Sequence, residues 1–178
     1  LFKNVFELFN QYNFTIDEND TEDVEIAIDP EMLGHIFENL LEDNKDKGAF
    51  YTPKVIVDYM TKTSLIEYLK NNFEDNNHES IETLVKYPNE ITELKPFIDK
   101  NKDKLNNLLD NLKIIDPAIG SGAFPVSILL NILKIKETLN PNLNRAEEKK
   151  KIIENSIYGV DIEQGAVDIA KLRFWLSL

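Results

Sequence analysis

The chain has 178 residues, 42% of them apolar and 29% charged, which suits one globular domain with a hydrophobic core, and its net charge of −12 predicts that it binds DNA poorly by itself. The absence of cysteine excludes disulfides and thiolate chemistry, and the two histidines, His35 and His78, lack metal-ligand spacing, so no metal site is predicted. No run of residues is apolar enough to span a membrane and no secretory signal is visible, so we expect a cytoplasmic protein without a membrane partner.

Residues 1–47 are predicted to form a helical N-terminal extension. Two runs of alternating apolar and polar residues, at 13–17 and 24–28, suit the strands of a short hairpin. Residues 29–41 carry a helical apolar stripe that starts with an Asp-Pro pair, which is a typical helix beginning. The chain starts with Leu1 and ends within an apolar helical pattern, so we expect it to be a piece of a longer protein.

The next segment is predicted to begin with a long helix. Thr52 is expected to cap this helix, with Pro53 at its first position and its end near Lys70. Residues 71–100 are polar and acidic, and we interpret them as an insertion that contains short helical pieces at most. A further helix is expected over residues 100–112.

The last third of the chain alternates between strand and helix patterns. The predicted elements are a strand at 113–116, helices at 125–139 and 145–155, a strand at 157–160 and a helix at 163–178. This order predicts a parallel βαβ core and therefore an α/β fold class.

The loop after the first of these strands is the clearest sign of a ligand site. Gly120 and Gly122 follow the strand-end carboxylate of Asp116, and glycines allow the backbone to approach a ligand at the N-terminus of a helix. A dinucleotide fingerprint does not fit, because Pro125 stands at its third glycine position and the next strand-end acid, Asp161, lies 39 residues after Gly122. A P-loop does not fit either, because no Lys-Ser or Lys-Thr pair follows. A carboxylate here suits a ligand with an ammonium group, such as S-adenosylmethionine.

Residues 116–124, Asp-Pro-Ala-Ile-Gly-Ser-Gly-Ala-Phe, resemble the cofactor-binding motif of DNA adenine-N6 methyltransferases, which are class I S-adenosylmethionine-dependent enzymes. The likeness is closest to the large methylases of bacterial restriction-modification and phage-defence systems, of type IIG and type I. Residues 33–41, 48–53 and 157–163 resemble other elements of the same family, in the same order. The resemblance implies that residues 48–178 form a truncated S-adenosylmethionine-binding domain with a partial Rossmann-like methyltransferase fold.

The resemblance also implies roles for individual residues. Asp116 would accept hydrogen bonds from the ammonium group of the cofactor, Thr52 would contact its carboxylate, and Asp161 would bind its ribose hydroxyls. Gly120 and Gly122 would let the backbone come close to it. The other expected cofactor-binding residues are Tyr51, packed over the methionine end, Phe124, beside the adenosine, and Ala118 and Ile162 in the two motifs.

Each of these residues also has a purely structural interpretation. Asp116 is a common kind of strand terminator, and the two glycines could simply form a turn. Asp161 and Gln164 have the spacing of a capping box, in which Gln164 reaches back to the helix start. The role of Thr52 could end with capping its helix.

No catalytic residue is assigned, because the sequence lacks the Asn-Pro-Pro-Tyr tetrapeptide with which the resembling enzymes hold a flipped adenine. We therefore expect this chain to be a fragment that is inactive alone. The whole enzyme is expected to bind double-stranded DNA through regions outside this chain. An RNA or protein methyltransferase of the same fold and a non-catalytic scaffold remain alternatives. Sheet edges and apolar helix faces left open by truncation predict self-association.

Overall fold

The computed structural model describes residues 52–178, apart from the side chains of Asp75 and Ile91. Tyr51 and the predicted N-terminal extension with its hairpin lie outside the described residues. Within the described range, no helix is long and apolar enough to cross a membrane. The elements in chain order are α1 (Lys54–Lys70), α2 (His78–Lys86), α3 (Ile91–Asn111), β1 (Ile114–Asp116), α4 (Ala123–Leu139), α5 (Arg145–Ser156), β2 (Ile157–Gly159) and α6 (Gln164–Ser177), with one 3₁₀ turn at Asp75–Asn77.

The two strands form a small parallel sheet within a mostly helical structure, as the predicted α/β class requires. The crossover from β1 to β2 runs through α4 and α5, so the strands and the two helices between them form a βαβ connection, as predicted. The register pairs Ile114 with Ile157 and Asp116 with Gly159. Both strand ends therefore lie side by side, and the loops that follow them meet at the same edge of the sheet.

The start of α1 differs from its prediction. The residue at the cap position is Pro53, whose carbonyl accepts the N–H groups of Ile56 at 2.9 Å and Val57 at 3.1 Å. The side chain of Thr52 does not cap the helix, because it stands one position too early to reach the free N–H groups. The prediction of Thr52 as N-cap was therefore wrong.

Residues 71–100 are more helical than predicted. They contain all of α2 and the first half of α3, which begins at Ile91 and continues through Pro96. A proline inside a helix removes one backbone hydrogen bond. Burial of apolar residues at helical spacing outweighs this loss, because Leu94, Phe97 and Ile98 all lie in the core. Whether this segment is an insertion stays a prediction.

Helix α4 lies at the centre of the hydrophobic core. Leu129, Ile132 and Ile135 are fully buried, and α1, α2, α3 and α5 pack around them. Each such side chain contributes about 1.5–3 kcal/mol through the area that it removes from water. Among the described residues, the core covers one face of the sheet, since Ile114 and Ile157 pack against it while Ile115 and Tyr158 remain 69% and 50% exposed.

A charged cluster joins α3, α4 and α5. The ammonium group of Lys136, only 4% exposed, donates hydrogen bonds to Asp110 and Glu148, and Lys151 donates to Asp110 at 2.8 Å. Burial raises the pKa of Asp110, but the hydrogen bonds from Lys136 and Lys151 outweigh this effect and leave its pKa below the ordinary value of 3.8.

Candidate functional site

The loop between β1 and α4 contains two glycines that differ in what surrounds them. Both have positive φ, +52° at Gly120 and +86° at Gly122, a region that other residues rarely adopt. A Cβ at Gly122 would lie 3.2 Å from the Cβ of Ala170, so this glycine lets the loop pack closely on α6. A Cβ at Gly120 would meet nothing within 4 Å. The backbone of Gly120 is therefore open to the approach of another molecule.

Backbone hydrogen bonds connect the same loop to the end of β2. The N–H of Val160 donates to the carbonyl of Asp116 at 2.9 Å, and the N–H of Ile119 donates to the carbonyl of Val160 at 2.9 Å. Ile119 also covers Gly159, where a Cβ would come within 2.2 Å of its Cδ1 atom. The loop after β1 thus folds over the end of the neighbouring strand.

The side chain of Asp161 also holds the loop, through a hydrogen bond. Its Oδ2 accepts the N–H of Gly120 at 2.8 Å, and its Oδ1 accepts the N–H of Glu163 at 2.9 Å. The capping-box alternative for Asp161 does not hold, because Glu163 occupies the cap position of α6 and Gln164 donates to Asp168 instead of reaching back. Each carboxylate oxygen keeps a second acceptor position, so ribose binding by Asp161 stays a prediction.

Asp116 uses only one of its two carboxylate oxygens. Its Oδ1 accepts the N–H of Ala118 at 3.0 Å. Its Oδ2 is buried and has no hydrogen-bond partner within the described part of the chain. A buried carboxylate oxygen without a donor costs free energy, which a cationic or hydrogen-bond-donating ligand would recover.

A cavity of about 300 Å³ lies between β1, the start of α4 and the middle of α1. It is mainly apolar and it brings together two of the predicted site residues, Asp116 and Phe124. A larger groove of about 660 Å³, between α1 and α2, is lined by none of the predicted residues. The smaller cavity is lined by Met60, Thr61, Ser64, Ile114, Ile115, Asp116, Pro117, Phe124, Pro125 and Ile128.

The remaining predicted residues that the structure describes do not line this cavity. Ile162 follows β2 and is 96% exposed. Thr52 is half-buried, ahead of α1, and does not line the cavity. Among residues 52–178, no group of three His, Asp or Glu side chains could hold a metal ion.

The sequence interpretation missed Arg173, which contacts the glycine loop from α6. Its Nη1 donates to the carbonyl oxygen of Ser121 at 3.0 Å. The buried residues of α6 are Ala166, Ala170, Arg173 and Ser177, which recur every three to four positions. This spacing is the sequence signal that could have identified Arg173 as a residue of the inner helix face.

A buried polar network under the cavity was missed as well. The hydroxyl of Thr61 donates to the carbonyl of Val57 at 2.8 Å, lies 2.9 Å from the hydroxyl of Ser127, and accepts from the amide of Asn131 at 3.2 Å. These contacts join α1 to α4. They fix how the two helices that border the cavity sit against each other.

Comparison with known proteins points to methyltransferases. Residues 93–177 match the family model of the MmeI DNA-methyltransferase domain. The chain is also 33% identical, over 192 aligned positions, to a Methanocaldococcus jannaschii protein named as a type II restriction enzyme and methyltransferase, RM.MjaORFECS2P. That alignment covers 98% of this chain but only 16% of the relative. No solved structure matches the chain. The two similarities support a methyltransferase of the restriction-modification kind.

Proposed function

We propose that this chain forms the cofactor-binding part of an S-adenosylmethionine-dependent DNA adenine-N6 methyltransferase of a restriction-modification or phage-defence system. The observation that carries the proposal is the buried Oδ2 of Asp116, which has no hydrogen-bond partner among the described residues and belongs to a residue that borders a cavity of about 300 Å³. An ammonium group would satisfy this oxygen with a charge-assisted hydrogen bond. The methyltransferase similarity over residues 93–177, which includes Asp116 and the glycine loop, supports this ligand.

The residues around the loop suit different parts of such a cofactor. The open space at Gly120 allows the ligand to reach the backbone, and Phe124 supplies an aromatic wall in the cavity. Asp161 would accept ribose hydroxyls at the acceptor positions that its two backbone contacts leave over. Thr52 and Tyr51 are proposed to meet the methionine end, and Ala118 and Ile162 to border the ligand.

When bound, S-adenosylmethionine supplies an activated methyl group to a nucleophilic base nitrogen. Nothing in the sequence of this chain supplies the group that holds the base, because it contains no Asn-Pro-Pro-Tyr tetrapeptide. The residues of this chain therefore bind and orient the cofactor, and the base-holding residues come from elsewhere in the longer protein. We expect no methyl transfer from this chain alone.

DNA is proposed to bind outside this chain. The net charge of −12 opposes the phosphate backbone, which basic patches usually attract. The chain spans about a sixth of the length of the relative that it matches, 16%, which leaves room for a DNA-reading region in a protein of that size.

One observation favours the alternative of a non-catalytic scaffold. Both carboxylate oxygens of Asp161 accept backbone N–H groups, so this residue has a structural role even without a ligand. A scaffold would retain such a contact but would have no use for the unpartnered oxygen of Asp116. RNA and protein methyltransferases would share the cofactor site and differ only in the acceptor.

Titration calorimetry with S-adenosylmethionine tests the proposal on this chain and on the full-length protein. Asp116→Asn keeps the size of the side chain and removes its charge, and we expect it to weaken binding at least tenfold, or about 1.4 kcal/mol. Asp99→Asn, on the exposed side of α3, is the matched control and should bind as the unchanged chain does. Absence of binding in both the chain and the full-length protein, with normal circular dichroism, would favour the scaffold.

A further inference from the structure

Arg173 is a buried guanidinium that the cofactor site described above does not use. It is 6% exposed, and it lies on the face of α6 that packs under the glycine loop. Its Nη1 donates to the carbonyl oxygen of Ser121 at 3.0 Å and lies 3.4 Å from the hydroxyl oxygen of the same residue. Ser121 is itself only 4% exposed, so the contact is shielded from water. In such surroundings a charged hydrogen bond is stronger than at the surface.

Arg173 and Asp161 hold neighbouring residues of the loop, the first as a hydrogen-bond donor and the second as an acceptor. Asp161 accepts the N–H of Gly120 at 2.8 Å, and Arg173 donates to the carbonyl of Ser121 at 3.0 Å. The N–H of Gly120 and the carbonyl of Ser121, which lie on either side of the peptide bond between these residues, are therefore both held by hydrogen bonds. Both fixing side chains come from one stretch of chain, the end of β2 and the helix α6 that follows it. The β2–α6 unit thus sets the shape of a loop that belongs to the β1–α4 unit.

A glycine loop needs such contacts if it is to bind a small molecule well. Glycine has more backbone conformations available than any other residue, so a free loop loses much entropy when a ligand orders it. Side chains that order the loop beforehand remove this cost from the binding step. Gly122 packs against Ala170, less than one turn of α6 from Arg173, so the loop is closest to the helix where the guanidinium acts.

We propose that Arg173 is a positioning residue for the cofactor loop. Its guanidinium holds the carbonyl of Ser121 and, together with Asp161, keeps the segment around Gly120 in the conformation that the ligand meets. The inference rests on the proposed function for the identity of the ligand, S-adenosylmethionine. The ordering of the loop by Arg173 does not depend on that identity and can be measured without any ligand.

Two substitutions at Arg173 separate the parts of this contact. Arg173→Met keeps an apolar stem of similar reach and removes the donors, so it leaves the carbonyl of Ser121 without this partner. Arg173→Lys restores a cation with a shorter reach and without the planar fork of donors, so partial rescue is expected. Lys171→Met removes a largely exposed cation from the same helix and is the matched control.

Hydrogen exchange and calorimetry on this chain give two independent readouts. The N–H of Gly122 donates to the carbonyl of Ile119 at 2.9 Å, so its exchange rate reports on the order of the loop. Arg173→Met should speed exchange at Gly120 and Gly122 at least tenfold without ligand, and leave the amides at the centre of α4 unchanged. It should also weaken S-adenosylmethionine binding at least tenfold. Arg173→Lys should fall between, and Lys171→Met should match the unchanged chain.

Uniformly faster exchange through α4 and α6, in both Arg173→Met and Arg173→Lys, would assign Arg173 to general packing and overturn the proposal. So would loop exchange and cofactor affinity that both stay at their original values. If the unchanged chain and the full-length protein fail to bind S-adenosylmethionine while Arg173→Met still loosens the loop selectively, the proposed function falls and the positioning role stands.

Discussion

The carboxylate of Asp161 accepts the backbone N–H of Gly120 at 2.8 Å, although 41 residues separate the two in sequence. The acid at the end of β2 is therefore part of the structure of the loop at the end of β1. A ligand that used Asp161 would meet a side chain already held in place by two N–H donors. Loss of this acid should consequently alter stability and ligand binding together.

The first prediction concerns Asp161→Asn. An amide can accept through only one of its two end atoms, so either Gly120 or Glu163 would face an N–H group instead of an acceptor. We expect a loss of about 1–3 kcal/mol in the free energy of unfolding, measured by urea denaturation. Asp168→Asn, an exposed carboxylate on α6, should change little. Equal stability of the two variants would contradict the anchoring role.

The second prediction compares the two loop glycines. Gly120→Ala places a methyl group in open space, so it costs only the strain of a left-handed backbone, about 1–2 kcal/mol. The same methyl group would obstruct a ligand. Gly122→Ala adds the approach to Ala170 at 3.2 Å, so it should destabilise the fold more in urea denaturation.

Two further variants check the reasons given for the glycines. Ala170→Gly should recover part of the stability of Gly122→Ala and none of that of Gly120→Ala. Gly120→Asn should fold better than Gly120→Ala, because asparagine tolerates positive φ, and still bind S-adenosylmethionine poorly. If all the glycine variants lost the same stability, the distinction between packing and ligand approach would be wrong.

Local patterns predicted the elements that depend on local sequence. The ends of α4, α5 and α6 lie within about two residues of their expected positions, because apolar periodicity and the break near Asn140 mark them. The strands are short, but their parallel pairing follows from the βαβ order. The polar and acidic composition of residues 71–100 misled their interpretation, because burial of their apolar residues in the core overrides local propensity.

The sequence predicted only part of the candidate site, and the reason is physical. The sequence singled out Gly120, Gly122 and Asp161 as candidates, because each follows the end of a predicted strand. It could not identify the contact between Arg173 and Ser121, which joins positions 52 residues apart through the packing of α6 on the loop. Contacts between distant segments depend on tertiary packing, and local spacing carries little information about them.

The third prediction concerns the polar network under the cavity. Thr61→Val keeps the shape of the side chain but leaves the amide of Asn131 without the Thr61 oxygen, so we expect a loss of about 1–3 kcal/mol in urea denaturation. Thr61→Ser retains the hydroxyl and should lose less. The double variant Thr61→Val, Asn131→Leu removes both partners and should be less destabilised than the sum of the single changes. Full additivity would show that the contact contributes nothing.

The fourth prediction concerns acid stability. The pKa of Asp110 is lowered in the folded state, so its charge contributes stability that is present above its ordinary pKa of 3.8 and is lost as the pH falls through the lowered value. Asp110→Asn should lower the free energy of unfolding at neutral pH by about 1 kcal/mol, a value reduced because a third of the side chain is exposed. The difference between the two proteins should shrink below about pH 4.

Chemical denaturation at neutral and acidic pH measures this difference. Glu154→Gln breaks the exposed pair with Lys150, at 3.9 Å, and serves as the control, because exposed pairs contribute little at any pH. A stability difference between Asp110→Asn and the unchanged chain that persisted down to pH 2 would contradict the linkage to the charge of Asp110 and point to shape alone.

The fifth prediction is that this 178-residue chain self-associates through the open face of its sheet. Parallel sheets are normally covered on both faces, yet Ile115 and Tyr158 are register partners that are 69% and 50% exposed. Ile115→Lys with Tyr158→Lys should shift sedimentation from dimer or larger species toward monomer at micromolar concentration, since the charges would have to be desolvated. Tyr87→Lys changes an exposed aromatic residue away from the sheet and should have no effect. A chain that sediments as a monomer before any substitution would show that the open face of the sheet does not bind a second copy.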